Sequence, residues 1–207
     1  MYTLYYSQGA CSVATQVVLH ELQQEVNIID VQQMDNFKKI NPVGAVPTLV
    51  DGEQTLTEGA AIMLHILSKH KSSLFPEEEG PRQKAIQDIM FANATMHPAY
   101  GRLFFLSQNV SDEKVKQDLL DRAAESINQL WEVVENQLAN KSFLGGDSPS
   151  AADIMLTVYS RWGAYFPVKI VFGEKTTQML DAVQAMSSFK KADEAEQAVS
   201  SKKNTSN

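Results

Sequence analysis

Cysteine is nearly missing from this 207-residue chain. Cys11 stands alone, which excludes an intrachain disulfide and fits a reducing compartment. Positive charge is also short: 18 Lys and Arg stand against 25 Asp and Glu, for a net charge of −7. Nucleic-acid binding neutralises phosphates with Lys and Arg. Here the cations are scattered, doubled only at Lys38-Lys39, Lys190-Lys191 and Lys202-Lys203, so no nucleic-acid partner is expected. Long apolar runs are missing too, so no membrane span is expected. The start, Met1 to Tyr6, lacks the basic region of a signal peptide and reads as a first strand. These absences together place the chain in the cytoplasm. What is present is ordinary: 43% hydrophobic and 21% charged residues, enough for a core without a disulfide or a metal.

The first third alternates strand and helix patterns. Thr3 to Tyr6 is a β-rich run stopped by Ser7-Gln8-Gly9. Ser12 to Gln24 is expected as a helix with Ser12 as its N-cap, and Val26 to Val31 as a second strand. Met34 to Ile40 is poorly patterned. Asn41-Pro42-Val43-Gly44 is a turn, and Val46 to Val50 a third strand. Asp51-Gly52 signals a hairpin to Gln54–Leu56, and Thr57 to Lys69 resumes helix. A helical crossover and a tight hairpin together give a mixed sheet.

After Leu74-Phe75, the run Pro76 to Pro81 reads as a linker, and no strand is expected beyond it. Helices are expected over Ile86–Ser107, Asp112–Asn140, Ser150–Tyr165 and Lys175–Ser187. Leu120, Ala123, Ile127, Leu130, Val134 and Leu138 recur at three and four in the second of these. Ser200 to Asn207 reads as a frayed polar end. The expected domains are an α/β unit over 1–75, a linker over 76–81 and an all-helical unit over 82–207.

Several residues invite chemistry, each with a plainer alternative. Pro47 is either an edge-strand proline or a cis-proline that turns the neighbouring backbone toward a ligand. Cys11, where a helix starts, is either a thiol whose pKa the helix end lowers or a small buried hydrophobe. Glu58 and Gly59 open a helix. They suit a zwitterionic amino-acid head, or Glu58 simply matches the helix dipole. Ser150-Ala151-Ala152-Asp153 is a capping box without catalytic chemistry.

Tyr5 to Ser12, Asn41 to Leu49 and Leu56 to Ile62, taken together, resemble the bacterial beta-class glutathione S-transferases. Phe143-Leu144-Gly145-Gly146, Ser150 to Asp153 and Arg161-Trp162 are similar to that family's late helix, so the likeness covers nearly the whole chain. The resemblance implies a thioredoxin-like first domain and an all-α second domain. It makes glutathione a co-substrate, without metal, and implies detoxifying conjugation to small hydrophobic electrophiles by a homodimer. Pro47 then matches the cis-proline, Val46 the residue pairing with the cysteinyl part of glutathione, and Glu58 and Gly59 the γ-glutamyl site. Gly59 lacks the hydroxyl many relatives carry, Gln8 replaces a common proline, and no lysine contact to glutathione is placed within Asp30–Lys39.

Cys11 matches the beta-class cysteine. Two adjacent thiolates repel, which leaves it either forming a mixed disulfide or donating a hydrogen bond as a neutral thiol. His97 lies at a position similar to the family's active-site histidine, or it is a structural histidine, and Pro98 is expected to break the helix just after it. Tyr100, Phe104, Trp162 and Phe166 are the candidates for the electrophile pocket, which the family places between its domains. Taken singly, each reads more readily as core. A glutathione-dependent reductase or dehalogenase, or a non-catalytic protein on the same fold, are the competing functions.

Overall fold

The computed structural model describes the backbone over residues 1–204 and side chains over residues 1–198. Strand β1 (Tyr2–Tyr6) buries Tyr2, Leu4 and Tyr6 while Thr3 and Tyr5 are less covered, the two-residue period of a strand with one face in a core. Helix α1 (Ser12–Glu21) returns the chain so that β2 (Val26–Asp30) lies parallel to β1, with Leu4 opposite Ile28. Strands β3 (Thr48–Asp51) and β4 (Gln54–Leu56) form the hairpin, and β3 runs antiparallel to β1, giving the order β2-β1-β3-β4.

Two boundaries shift for local reasons. Strand β3 starts at Thr48 rather than Val46, because Pro47 has no N–H to give the ladder. The pair Asp51–Gln54 leaves Gly52-Glu53 as the two-residue loop, with Gly52 at φ 62, where a side chain is disfavoured. The poorly patterned stretch holds a short 3-10 turn, Phe37–Lys39, that buries Phe37 against Tyr5; another, Val31–Gln33, precedes it and takes Val31 from the expected strand. Helix α2 (Gly59–Lys69) packs with α1 and over β3. Asp51 ties it to the sheet by accepting from His65 Nε2 at 2.7 Å and Lys69 Nζ at 2.5 Å.

The helical part departs further from expectation. Helix α3 (Glu79–Phe91) begins inside the expected linker. Pro81 falls in its first turn, where a missing N–H costs no intrahelical bond. Leu74 and Phe75, just before the expected linker, are buried. Pro98 does not break the helix. A π turn, Ala92–Met96, widens the coil ahead of it, and α4 (His97–Asn109) continues with Pro98 at its start, where proline is tolerated.

Helix α5 (Glu113–Gln137) buries Leu120, Ala123, Ile127 and Val134 as expected, with Trp131 taking the inward place expected of Leu130. Helix α6 (Ala151–Ser160) is buried almost throughout and passes into a 3-10 turn, Arg161–Tyr165. Helices α7 (Glu174–Ala185) and α8 (Ser187–Asn204) follow. The frayed end expected at Ser200–Asn207 falls on the last turns of α8 and on residues 205–207, which lie outside the described residues.

The chain divides into two compact units, 1–72 with 184–207, and 73–183. Helix α8, assigned by sequence to the helical domain, therefore packs along α1 in the first unit. In the second unit Glu135 of α5 anchors the start of α7. Its carboxylate accepts from Lys175 N at 3.0 Å and from Thr176 N and Oγ1 at 2.7 Å each. Burial pushes this carboxyl up, but the Thr176 and Lys175 hydrogen bonds outweigh it and hold the pKa below the usual glutamate range. Because the folded pKa is depressed, this contribution is complete above the unfolded value and fades as pH falls through the folded one. Glu135→Ala is expected to cost about 1–2 kcal/mol by urea unfolding at pH 7, as removal of a helix cap does, and less at acid pH.

Candidate functional site

In the first unit the turn after β1 delivers Cys11 to the start of α1. Ala10 N donates to Ser7 O at 3.1 Å, and Gly9 takes φ 69 to make the turn. Cys11 itself is the N-cap, with helical angles, and Ser12 is buried within the first turn, its hydroxyl donating to Ser7 O at 3.4 Å. The expected Ser12 cap is thus displaced by one residue. The Cys11 thiol donates to the Val46 carbonyl at 3.3 Å, which joins the first helix to the turn before β3. The Val46-Pro47 bond is cis and Pro47 is buried.

Of the two readings of Cys11, the thiol with a lowered pKa is not the one the surroundings favour. Burial pushes the pKa up to about 11, against the opposing pull of the Cys11 and Ser12 backbone amides. At pH 7 such a thiol is ionised in about one molecule in ten thousand. Cys11 is half-buried as a residue, with its thiol turned to the Val46 carbonyl. Cys11 is a hydrogen-bond donor in this state.

Glu58 precedes α2 at φ 70, a left-handed conformation unusual for a residue with a side chain. Its carboxylate is exposed and makes no capping bond to the helix. Gly59 follows as the first helical residue, where backbone N–H groups lack intrahelical partners.

The remaining candidates gather in the second unit around Trp162. His97 meets Tyr159 and Trp162 edge-on, each with ring centroids 5.2 Å apart, and burial lowers its pKa, so it is neutral at pH 7. Phe104 sits 5.9 Å from Trp162 and 4.8 Å from Phe166, both edge-on. Tyr100 is fully buried and its hydroxyl accepts from Trp131 Nε1 at 2.9 Å, which makes it backing for the cluster rather than a free polar wall. Tyr165, 61% exposed and 6.2 Å from Phe104, belongs beside them; in sequence it is one more aromatic in a helix. Glu196 of α8 accepts from Gly9 N at 2.8 Å, a contact no local sequence pattern announces. Among the described residues no group of three acidic, His or Cys side chains is placed to hold a metal, and no helix is long and apolar enough to cross a membrane.

The chain matches the family model described as glutathione S-transferase, N-terminal domain, over residues 1–68, and the one described as glutathione S-transferase, C-terminal domain, over residues 92–198. It is 31% identical over 165 residues to glutathione S-transferase GST-4.5 of Xanthomonas campestris, covering 77% of this chain and 81% of the relative. The glutathione S-transferase of Xylella fastidiosa superposes with a TM-score of 0.86 at 26% identity, covering 95% of this chain and 98% of its own. A sphingomonad glutathione S-transferase complexed with glutathione gives 0.81 at 28%, covering 94% and 98%.

Proposed function

Because the chain belongs to the glutathione S-transferase family as a bacterial, beta-like member, we propose that it joins glutathione to small hydrophobic electrophiles, with Cys11 as a neutral thiol donor. The observation that carries this reading is the half-buried Cys11 thiol hydrogen-bonded to Val46 O. A short rotation of that thiol redirects its S–H from the carbonyl to the sulfur of a bound glutathione. Val46 and Pro47 form the floor for the cysteinyl part, and Glu58 with Gly59 takes the γ-glutamyl ammonium and carboxylate. With no side-chain hydroxyl at Gly59, the carboxylate relies on backbone N–H groups.

In the reaction the glutathione sulfur, as thiolate, forms the new C–S bond. The leaving group departs with its electron pair, and the thiol proton goes to water. Cys11 makes and breaks no covalent bond; its S–H stabilises the thiolate. Protonation at neutral pH favours this role over attack by Cys11 on a glutathione disulfide, which needs the thiolate. Phe104, Trp162 and Phe166, backed by Tyr100, supply the apolar surface for the electrophile, and neutral His97 beside Trp162 offers a polar edge to it. A detoxifying role in the cytoplasm, as a homodimer, follows from the same reading.

Retention on immobilised glutathione, followed by conjugation of an activated aryl chloride, tests the proposal. Binding at millimolar glutathione with turnover is the expected result. A folded protein that neither binds glutathione nor conjugates overturns it.

A further inference from the structure

Phe166, one wall of the proposed electrophile surface, opens a strap of residues 166–173 that has no helix or strand of its own. Such a segment keeps one shape where other groups take up its backbone N–H and C=O. Helix α5 supplies them. Gln117 Nε2 donates to the carbonyl of Pro167, the residue after Phe166, at 3.0 Å. Asn128 Nδ2 donates to Lys169 O at 3.1 Å, and its Oδ1 accepts from Val171 N at 2.9 Å. One amide thus brackets Ile170 on both sides, as a residue of a neighbouring strand would.

The bracket keeps Ile170 from retreating, and what Ile170 meets is Gly163. A Cβ on that glycine would stand 2.6 Å from Ile170 Cγ1, so the close approach of the strap depends on the absence of one methyl group. Gly163 adjoins Trp162, and its carbonyl accepts from Phe166 N at 3.2 Å. Phe166 in turn meets Phe104 edge-on, and Phe104 meets Trp162. Contact runs unbroken from Asn128 through Ile170 and Gly163 to the rings of Trp162 and Phe166.

We infer that Asn128 is a positioning residue for the electrophile wall: by holding Ile170 against Gly163 it fixes Phe166 beside Phe104 and sets the size of electrophile admitted. The inference rests on the proposed reading of the aromatic cluster as the electrophile surface.

The test uses the full chain with Asn128→Ala, Gly163→Ala, and Gly163→Ala combined with Ile170→Ala. Thermal unfolding and KM for glutathione are measured, together with kcat/KM for a single-ring chlorodinitrobenzene and a fused two-ring chlorodinitronaphthalene. Asn128→Ala is expected to shift the preference about fivefold toward the larger chloride, the weight of lost neutral hydrogen bonds. KM for glutathione is expected to stay within about twofold of the parent. Gly163→Ala pushes Ile170 outward from the opposite side and is expected to move the preference the same way. Trimming Ile170 makes room for the added methyl, so the double variant is expected to lie closer to the parent than Gly163→Ala alone. If alanine at position 128 prevents folding, Asn128→Asp, which keeps the acceptor for Val171 N, supplies the measurement with a smaller shift in the same direction. Variants that lose thermal stability yet keep the parent's preference indicate a strap that serves the fold alone, and they overturn the inference. So does a double variant no closer to the parent than Gly163→Ala. A parent protein that conjugates neither chloride overturns the functional reading, and this inference with it.

Discussion

On the proposed reading, Cys11→Ala is expected to lower conjugation roughly 10- to 100-fold, because it removes a hydrogen bond to the charged sulfur of bound glutathione. The alanine variant should also show a higher pKa for the bound glutathione thiol, read from the pH profile of kcat/KM. Cys11→Ser keeps an O–H donor and is expected to recover most of the activity. The serine variant separates the two roles of a cysteine, since a hydroxyl donates but does not exchange with disulfides. Alkylation of the parent protein by iodoacetamide supplies the complementary measurement. With the thiol pushed up to about 11, its rate is expected to climb steadily through the alkaline range and show no inflection near neutrality. A serine variant as inactive as alanine, or a thiol titrating near 7, would place Cys11 among nucleophiles and remove the donor role.

Asp153→Ala is expected to produce the largest loss of stability in the second unit. The carboxylate is fully buried and accepts from Leu144 N at 2.9 Å, Gly145 N at 3.4 Å, Ser150 N at 2.8 Å and Ser150 Oγ at 2.7 Å. Burial raises its pKa against the pull of these donors, so the site depends on all of them to hold a charge. The alanine leaves buried N–H groups without an acceptor and removes the reciprocal half of the capping box at α6. Helix α6 threads the middle of its unit, so a frayed start there is not absorbed at the surface. About 3–5 kcal/mol is expected from urea unfolding, against roughly 1 kcal/mol for an exposed cap. Asp153→Asn, which retains one acceptor oxygen, should fall between. A loss below about 1 kcal/mol for the alanine variant would mean that the Leu144–Gly145 turn finds other partners.

The capping box was legible because its chemistry is local: an acceptor at the N-cap and an acid three residues on serve the same few amides. The hairpin and the parallel pair were legible for a similar reason, since connection length dictates strand direction. Cys11 stayed open between two readings because a thiol's pKa is set by its folded surroundings. Ser7 and Gln8 say nothing of that, and burial outweighed the helix end. Pro98 misled, since its rule is strict only for an unbroken α coil and the π turn before it relieves the constraint. Helix α8 escaped notice because its buried stripe includes Glu196, so the apolar period is interrupted by the residue with the most specific contact. The cis bond at Pro47 came through likeness to a family and not through spacing, which admits either isomer.

Helix α8 also orders events during synthesis. Residues 1–72 leave the ribosome first, but the helix that covers α1 and satisfies Gly9 and Gln16 is translated roughly a hundred residues later, several seconds at ordinary elongation rates. During that interval the face of α1 that α8 covers is exposed. Completion of the first unit therefore comes late relative to the synthesis of its sheet, and the Cys11 turn gains its Glu196 contact only then.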